Sequence, residues 1–238
     1  MKIILAGYGK MGKAIEQAAT QRGHEIVAIA DSFEALKGAL QAKADVVIEF
    51  TQPDAAIRNL EACLQAGIPV VCGTTGWHHQ LDQVKAWVHQ HQGALFYETN
   101  FSIGVNLFFA MAKKASALLN AHPDYVPRLS ETHHVHKKDA PSGTAITTAE
   151  MVMSEMPRYS EWGLNQPTQP PVLGIEAHRL DEVPGTHTLV FCSAIDEIRL
   201  EHVAFSRQGF AHGAVHAAEW LLGKQGVFRM NDMLHLWP

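Results

Sequence analysis

Residues 131–145 read Glu-Thr-His-His-Val-His-Lys-Lys-Asp-Ala-Pro-Ser-Gly-Thr-Ala. Three imidazoles (His133, His134, His136), two ammonium groups (Lys137, Lys138) and the helix start Pro141-Ser142-Gly143-Thr144 crowd one short stretch. A solvated basic turn is the plain alternative, yet few structural purposes need so many titratable groups. Proton transfer beside a bound anion does. An imidazole titrates close to neutral pH, and a lysine among cations gives up its proton more readily. The backbone N–H groups of Gly143 and Thr144, with the hydroxyls of Ser142 and Thr144, make a carboxylate cradle at the helix start. If residues 128–136 form a strand, alternation places His134 and His136 on one face and His133, with Lys137, on the other. Such a strand cannot aim His133, His134 and His136 at one zinc ion, and no cysteine is near, so no metal is expected. His136 and Lys138 read as structural or solvated.

The second chemical feature is Gly7-Tyr8-Gly9-Lys10-Met11-Gly12, which follows the apolar run 2–6 and opens a helical pattern. Glycines at these spacings permit a tight turn, a close approach of backbone to pyrophosphate, and close packing of helix on strand. Asp31 stands at the end of the next strand-like run, where a dinucleotide site needs an acid for the ribose hydroxyls. An acid there repels a 2′-phosphate unless a cation offsets it, and Ser32 and Phe33 supply none. NADH is therefore expected in preference to NADPH. Gly73-Thr74-Thr75-Gly76 and Thr99-Asn100-Phe101-Ser102 also fall at strand ends, where backbone amides could reach the nicotinamide ribose and carboxamide. In isolation each reads first as a plain turn.

These loops need a frame. Strands are expected at 2–6, 25–30, 44–50, 68–72 and 94–97, with helices at 11–22, from 51–54 through 59–66, and at 81–91. Alternation of that kind predicts a doubly wound parallel sheet with right-handed crossovers. Beyond about residue 102 the rhythm changes. A long apolar helix over 105–121 precedes strands at 128–136, 174–179, 186–192 and 198–206, joined by turns. That predicts a second domain of α+β type. A helix from Gly143 runs through 149–153, 166–171 is a Pro-rich surface loop, and 213–223 is a last amphipathic helix.

The 238 residues suffice for one large domain or two small ones, and 47% hydrophobic with 18% charged residues is ordinary for a globular chain. A net charge of −5 argues against nucleic acid and anionic membranes as partners, so an anionic ligand must meet a local positive pocket. Cys63, Cys72 and Cys192 are scattered and read as reduced, mostly buried residues. No window reaches membrane-spanning length and no signal-peptide pattern is present, so a soluble cytoplasmic protein is expected. His24, His78, His79, His89 and His91 fall on predicted helices or loops and are expected to do no chemistry.

Glu131-x-His133-His134-x-x-Lys137-x-Asp139-Ala140-Pro141-Ser142-Gly143-Thr144-Ala145 resembles the defining motif of the 4-hydroxy-tetrahydrodipicolinate reductase (dihydrodipicolinate reductase) family. The resemblance covers nearly the whole chain. It extends through Gly7 to Gly12, Gly73-Thr74-Thr75-Gly76, Asn100-Phe101-Ser102-x-Gly104-Val105-Asn106, Gly185-x-His187, Ser206-Arg207 and Gly213-Ala214. It implies a Rossmann-type dinucleotide-binding domain from residues 1–102 together with 208–238. Residues 103–207 then form a central α+β domain that binds substrate and builds a homotetramer. The implied reaction is NAD(P)H-dependent reduction of a cyclic imine dicarboxylate in lysine biosynthesis. By matching position, His133 is proton donor and acceptor and Lys137 proton donor. His134 contacts substrate, and Ser142, Gly143 and Thr144 hold a carboxylate. Gly7, Tyr8, Gly9, Lys10, Met11, Gly12, Asp31, Gly73, Thr74, Thr75, Thr99, Asn100, Phe101 and Ser102 line the cofactor. Ser32 stands where some members carry an arginine that helps NADPH.

Overall fold

The computed structural model describes residues 1–206 and 208–236; Arg207, Trp237 and Pro238 lie outside the described residues, so only Ser206 of the Ser206-Arg207 pair can be placed. The chain divides into two compact units, Met1–Ile103 with Gln208–Pro238, and Gly104–Arg207.

In the first unit, β1 (Lys2–Ala6), β2 (Glu25–Ala30), β3 (Val46–Glu49), β4 (Val70–Cys72), β5 (Ala94–Tyr97) and β11 (Gly226–Phe228) form one sheet in the order β11-β5-β4-β3-β1-β2. Every pairing is parallel. The strands are near-continuous apolar runs because both faces are covered. Ile3 and Leu5 pack with Ala211, Ala214 and Ala218 of α7 (Gln208–Leu221) and with α1 (Lys10–Gln21). Ile4 and Ala6 face the other way, toward Leu60 and Leu64 of α3 (Pro53–Gln65), Val84 of α4 (Leu81–Gln90) and Leu36 of α2 (Phe33–Ala39). Strand order reverses between β1 and β3, which is where a doubly wound sheet opens a ligand crevice. The ends of β1, β2, β3, β4 and β5 align there, through the pairs Ala6↔Ala30, Ala6↔Glu49, Glu49↔Cys72 and Cys72↔Tyr97. The unit closes with α8 (Met230–Leu234), tied to β5 by Arg229 donating to Glu98 at 2.6 and 3.2 Å.

In the second unit, five strands lie in the order β10 (Glu197–Ala204), β9 (Gly185–Cys192), β6 (Val126–His133), β8 (Val172–Arg179), β7 (Glu161–Leu164). β6 pairs antiparallel with β9 and parallel with β8, making a mixed sheet. Phe108 and Ala112 of α5 (Ile103–Leu119) and Ala149 and Val152 of α6 (Gly143–Glu155) pack with Leu129, Ile175, Leu189 and Phe191. On β6 the buried positions are Pro127, Leu129, Glu131 and His133. Two titratable side chains therefore occupy the core-facing register of a strand.

The parallel sheet and the α+β unit match the expected fold class, with differences at the edges. The strand expected over 128–136 stops at His133. Its last partners are Thr186 on β9 and Arg179 on β8, and the chain then turns, with Lys137 N donating to the His134 carbonyl at 3.1 Å. Alternation across His134, His136 and Lys137 therefore does not apply. The helix expected over 213–223 is α7 and begins at Gln208, the sequence reading does not include β7, β11 and α8, and of the cysteines Cys63 and Cys72 are buried while Cys192 is half-buried.

Gly213 shows how closely α7 lies on the chain after β5. A Cβ there would stand 1.7 Å from the Phe101 carbonyl oxygen, whereas a Cβ at Gly38 in α2 meets nothing within 4 Å. Gly213→Ala should lower unfolding stability by about 3 kcal/mol, the upper end for overpacking. Gly38→Ala should raise it by about 0.5–1 kcal/mol through helix propensity. Urea titrations of the two variants check the opposite signs.

Candidate functional site

The first unit carries a cleft of about 600 Å³ at the β1/β3 reversal, lined among others by Gly7, Tyr8, Gly9, Asp31, Ser32 and Arg58. Gly7 has φ +91°, and a Cβ on it would lie 2.1 Å from the Phe50 carbonyl oxygen. A Cβ at Gly12 would lie 2.3 Å from the Gly7 carbonyl oxygen, so the start of α1 can rest on the turn only without a side chain there. At Gly9, by contrast, a Cβ would enter open space. Gly9 is also the residue before α1, no side chain caps that helix, and its first turn holds no acid. Uncapped N–H groups beside open space suit the pyrophosphate of a dinucleotide. Lys10 is exposed and Met11 half-buried in that first turn. The Tyr8 hydroxyl donates to Glu16, with Lys13 over its ring at 5.7 Å.

The other expected cofactor loops are partly engaged in the fold itself. A Cβ at Gly73 would strike the Phe50 ring at 2.1 Å. The Thr74 hydroxyl accepts from Thr51 N at 2.7 Å and its carbonyl from the Trp77 indole at 2.7 Å, while Thr75 is exposed. Thr99 N donates to Glu98 at 3.0 Å, and Ser102 N donates to the Asn100 side chain at 2.9 Å. Phe101 is 2% exposed and packs on Phe50 and Phe96, a core role its loop position did not suggest.

In the second unit the histidine-lysine segment surrounds a buried acid. Glu131 is 1% exposed. Its two oxygens accept from Ser142 N at 3.1 and 3.0 Å, and Oε1 also accepts from Arg179 Nη2 at 3.2 Å. His133 Nδ1 stands 3.4 Å from Glu131 Oε2, and His187 Nε2 stands 3.7 Å from the same oxygen. The rings of His133 and His187 meet edge to face at 5.1 Å. The other His133 nitrogen, Nε2, is where Gly185 leaves space, since a Cβ there would come within 3.0 Å.

Ser142 caps α6, its hydroxyl accepting from Ala145 N at 3.1 Å while sharing a 3.1 Å contact with His187 Nε2. Both its N–H and its hydroxyl are thus occupied within a buried residue. Ser142 thereby helps to build the cradle expected at this helix start. Gly143 is exposed and Thr144 half-buried at the same helix start. Lys137 Nζ donates to both Asp139 oxygens at 2.8 Å. The neighbours of Lys137 are therefore not all cations, as its sequence surroundings suggested. That hydrogen bond holds the Asp139 carboxyl below its usual range. Arg179 pins the same turn, donating to the Asp139 carbonyl at 2.5 Å and the Lys137 carbonyl at 3.3 Å. His134 is half-buried beside His136, with ring centroids 6.2 Å apart.

Glu131, Arg179 and His187 escaped the list of candidates. Glu131 and His187 stand inside the quoted motifs, but their roles depend on partners from β8 and β9. Glu131, His133 and His187 also have the donor atoms of a three-ligand metal group. Arg179 and the Ser142 N–H already occupy the carboxylate, and the two imidazoles stand beside it.

Burial pushes the His133 imidazole below its ordinary range, opposed by Glu131 and reinforced by Lys137 and Arg179. Burial, aided by His133, His202 and Lys137, pushes His187 down to about 3. Above its ordinary 6.5 neither folded nor unfolded His187 is charged; between 6.5 and about 3 the unfolded chain takes a proton that the folded one refuses. Stability should therefore fall with acidification, by about 1.4 kcal/mol per pH unit for this group. Urea unfolding at pH values below about 6.5 should show that slope, and His187→Gln should make it shallower by about one proton.

Residues 1–101 match the family described as "Dihydrodipicolinate reductase, N-terminus", and residues 104–234 match "Dihydrodipicolinate reductase, C-terminus". The 4-hydroxy-tetrahydrodipicolinate reductase of Christiangramia forsetii is 41% identical over 234 residues, covering 98% of both chains. That of Neisseria meningitidis serogroup C is 35% identical over 219 residues, 88% of this chain and 78% of the relative. Among solved structures, dipicolinate-bound dihydrodipicolinate reductase from Paenisporosarcina sp. TG-14 shares the fold with a TM-score of 0.82 at 22% identity, over 98% of this chain and 99% of that one. A probable dehydrogenase from Thermotoga maritima reaches a TM-score of 0.61 at 10% identity, over 99% and 93%. The architecture is thus shared more widely than the matched sequence, and it is by both of its units together that the chain belongs to the dihydrodipicolinate reductase family.

Proposed function

We propose that the chain reduces the cyclic imine derived from (2S,4S)-4-hydroxy-2,3,4,5-tetrahydrodipicolinate to (S)-2,3,4,5-tetrahydrodipicolinate, in the diaminopimelate route to lysine. Identity of 41% over 98% of both chains to a relative bearing that enzyme's name supports the reading. The observation that carries it is the second unit's arrangement of a helix start and two imidazoles around one buried acid, with the lysine turn tied to that acid through Arg179. An amino-acid or sugar dehydrogenase, or a noncatalytic NAD sensor, would leave that arrangement without work.

The first unit is the dinucleotide-binding domain, with Gly7 to Gly12 at the pyrophosphate and Asp31 at the adenosine ribose. The loops at Gly73–Thr75 and Thr99–Ser102 serve the nicotinamide end through backbone groups. When bound, the dihydronicotinamide supplies the hydride. NADH is preferred because Asp31 accepts two ribose hydroxyls and repels a phosphate in their place.

The second unit is the substrate-binding and tetramerisation domain. Gly143 and Thr144 N–H groups hold one substrate carboxylate, favoured by the helix dipole. His134 contacts the substrate. Lys137, kept in place by Asp139 and by the carbonyl grip of Arg179, is the ammonium that protonates the reduced ring. His133, neutral through burial and with Nδ1 facing Glu131, takes and returns a proton at Nε2. Exposed Leu107 and Met111 on α5 and Val203 and Phe205 at the end of β10 give this unit an apolar surface for assembly into a homotetramer. No described helix is long and apolar enough to cross a membrane, and a biosynthetic role of this kind places the enzyme in the cytoplasm.

Loss of the dihydronicotinamide absorbance, with substrate made in situ by the preceding synthase, should occur with NADH and more slowly with NADPH. A folded protein that binds NADH yet oxidises neither cofactor sinks the reductase reading. Lys137→Ala should lower turnover by about 10²–10⁴-fold, the usual weight of general acid catalysis. Its NADH affinity, followed by fluorescence titration, should hardly move; full turnover in this variant would remove Lys137 from the role of acid.

A further inference from the structure

Sequence around Asp31 offers no cation, but the fold brings one from another element. α3 turns Ala55, Arg58 and Asn59 toward the same cleft as Asp31 and Ser32, at the i, i+3, i+4 spacing of one helix face. Ala55 is small, and Asn59 is anchored inward by donating to the buried Glu49 at 3.2 Å. Arg58 is therefore the cation on that face, and its guanidinium lies 5.1 Å from the centre of the Phe33 ring. Phe33 follows directly on Ser32, so the ring parks the guanidinium beside the residue pair that would meet the adenosine ribose. Lys37 approaches the same ring at 5.8 Å while pairing with Glu34 at 3.7 Å. The Glu34 charge is thus matched locally, and Arg58 is the cation that shares the cleft lining with Asp31.

We propose that Arg58 is the specificity residue for a 2′-phosphate on the adenosine ribose, so that the cleft admits NADPH as well as NADH. A ribose phosphate carries between one and two negative charges, and a planar guanidinium binds it through paired N–H donors. Asp31 sets the preference for a free 2′-hydroxyl. Arg58 limits how far that preference goes. The assignment rests on the reductase reading for the identity of the cleft, and it concerns only one end of the cofactor.

Binding tests it without turnover. Adenosine 2′,5′-bisphosphate and adenosine 5′-diphosphate are titrated calorimetrically into the full chain and into Arg58→Ala and Arg58→Lys. In Arg58→Ala, affinity for the bisphosphate should fall about tenfold or more, while that for the diphosphate stays within about twofold. Arg58→Lys should keep part of the bisphosphate affinity, as a point charge without the fork. The difference between the two ligands in the unaltered protein should shrink as salt is raised. Equal weakening of both ligands, or weakening of neither, would overturn the role of Arg58 and leave the reductase reading intact. Failure of the unaltered protein to bind either nucleotide would overturn the cleft assignment and this inference with it.

Discussion

The second unit is organised around one carboxylate that has left water. Glu131 is all but fully buried, and a charge in that position must be matched or it costs several kcal/mol. The match comes from two directions, the Ser142 N–H at the start of α6 and the Arg179 guanidinium at the end of β8, while the imidazole of His133 on its own strand stands 3.4 Å away. Each partner is fixed by this demand, and each in turn fixes something else. Arg179 extends its remaining donors to the carbonyls of residues 137 and 139, which sets the turn carrying Lys137. Ser142 starts α6 and so orients the N–H groups of Gly143 and Thr144. Removing the acid would leave a guanidinium and a helix start competing for water, and the turn would lose its reference point.

The first unit relies on the opposite device, the absence of side chains. Gly7, Gly12, Gly73 and Gly213 each sit where a Cβ would overlap backbone or ring atoms of a neighbouring element. Close approach of α1 and α7 to one face of the sheet follows, with alanines at positions 211, 214, 217 and 218 completing the contact. A closely covered sheet then leaves its strand ends as the available surface, and the β1/β3 reversal opens a cleft among them. Packing that tolerates no added methyl also makes the cleft's outline hard to alter except through residues on its rim, such as those of α3.

Local features of this architecture were legible in the sequence. The glycine loop with Asp31, the strand at 94–97 and the Ser142 helix start depend on neighbours within a few residues, and alternating elements gave the parallel sheet. Features set by distant partners were not. The end of β6 is decided by where β9 begins and by hydrogen bonds from Leu180 and Val135 across the exit of β8, none of which leaves a mark on residues 128–136. β11, with three residues, and α8, with five, are too short to show a period. The Ser142 hydroxyl also meets His187, 45 residues away, a contact with no trace in the local sequence. Arg179, 48 residues from Glu131, has no local pattern that separates it from a solvated strand end.

Two kinds of charge placement follow from this division of labour. In the first unit an acid and a cation share the exposed rim of one cleft, where water screens them and selectivity between related anions is a matter of degree. In the second unit the acid is enclosed and its partners are held at fixed positions, where screening is weak and orientation is enforced. A site that must accept a large cofactor and release it after each turnover gains from the first kind. A site that must present a proton donor at one geometry gains from the second. The chain's overall negative charge does not work against either, because the groups that would meet an anion are drawn out of the average by local structure: an uncapped helix start in one unit, and a lysine turn strapped by Arg179 in the other.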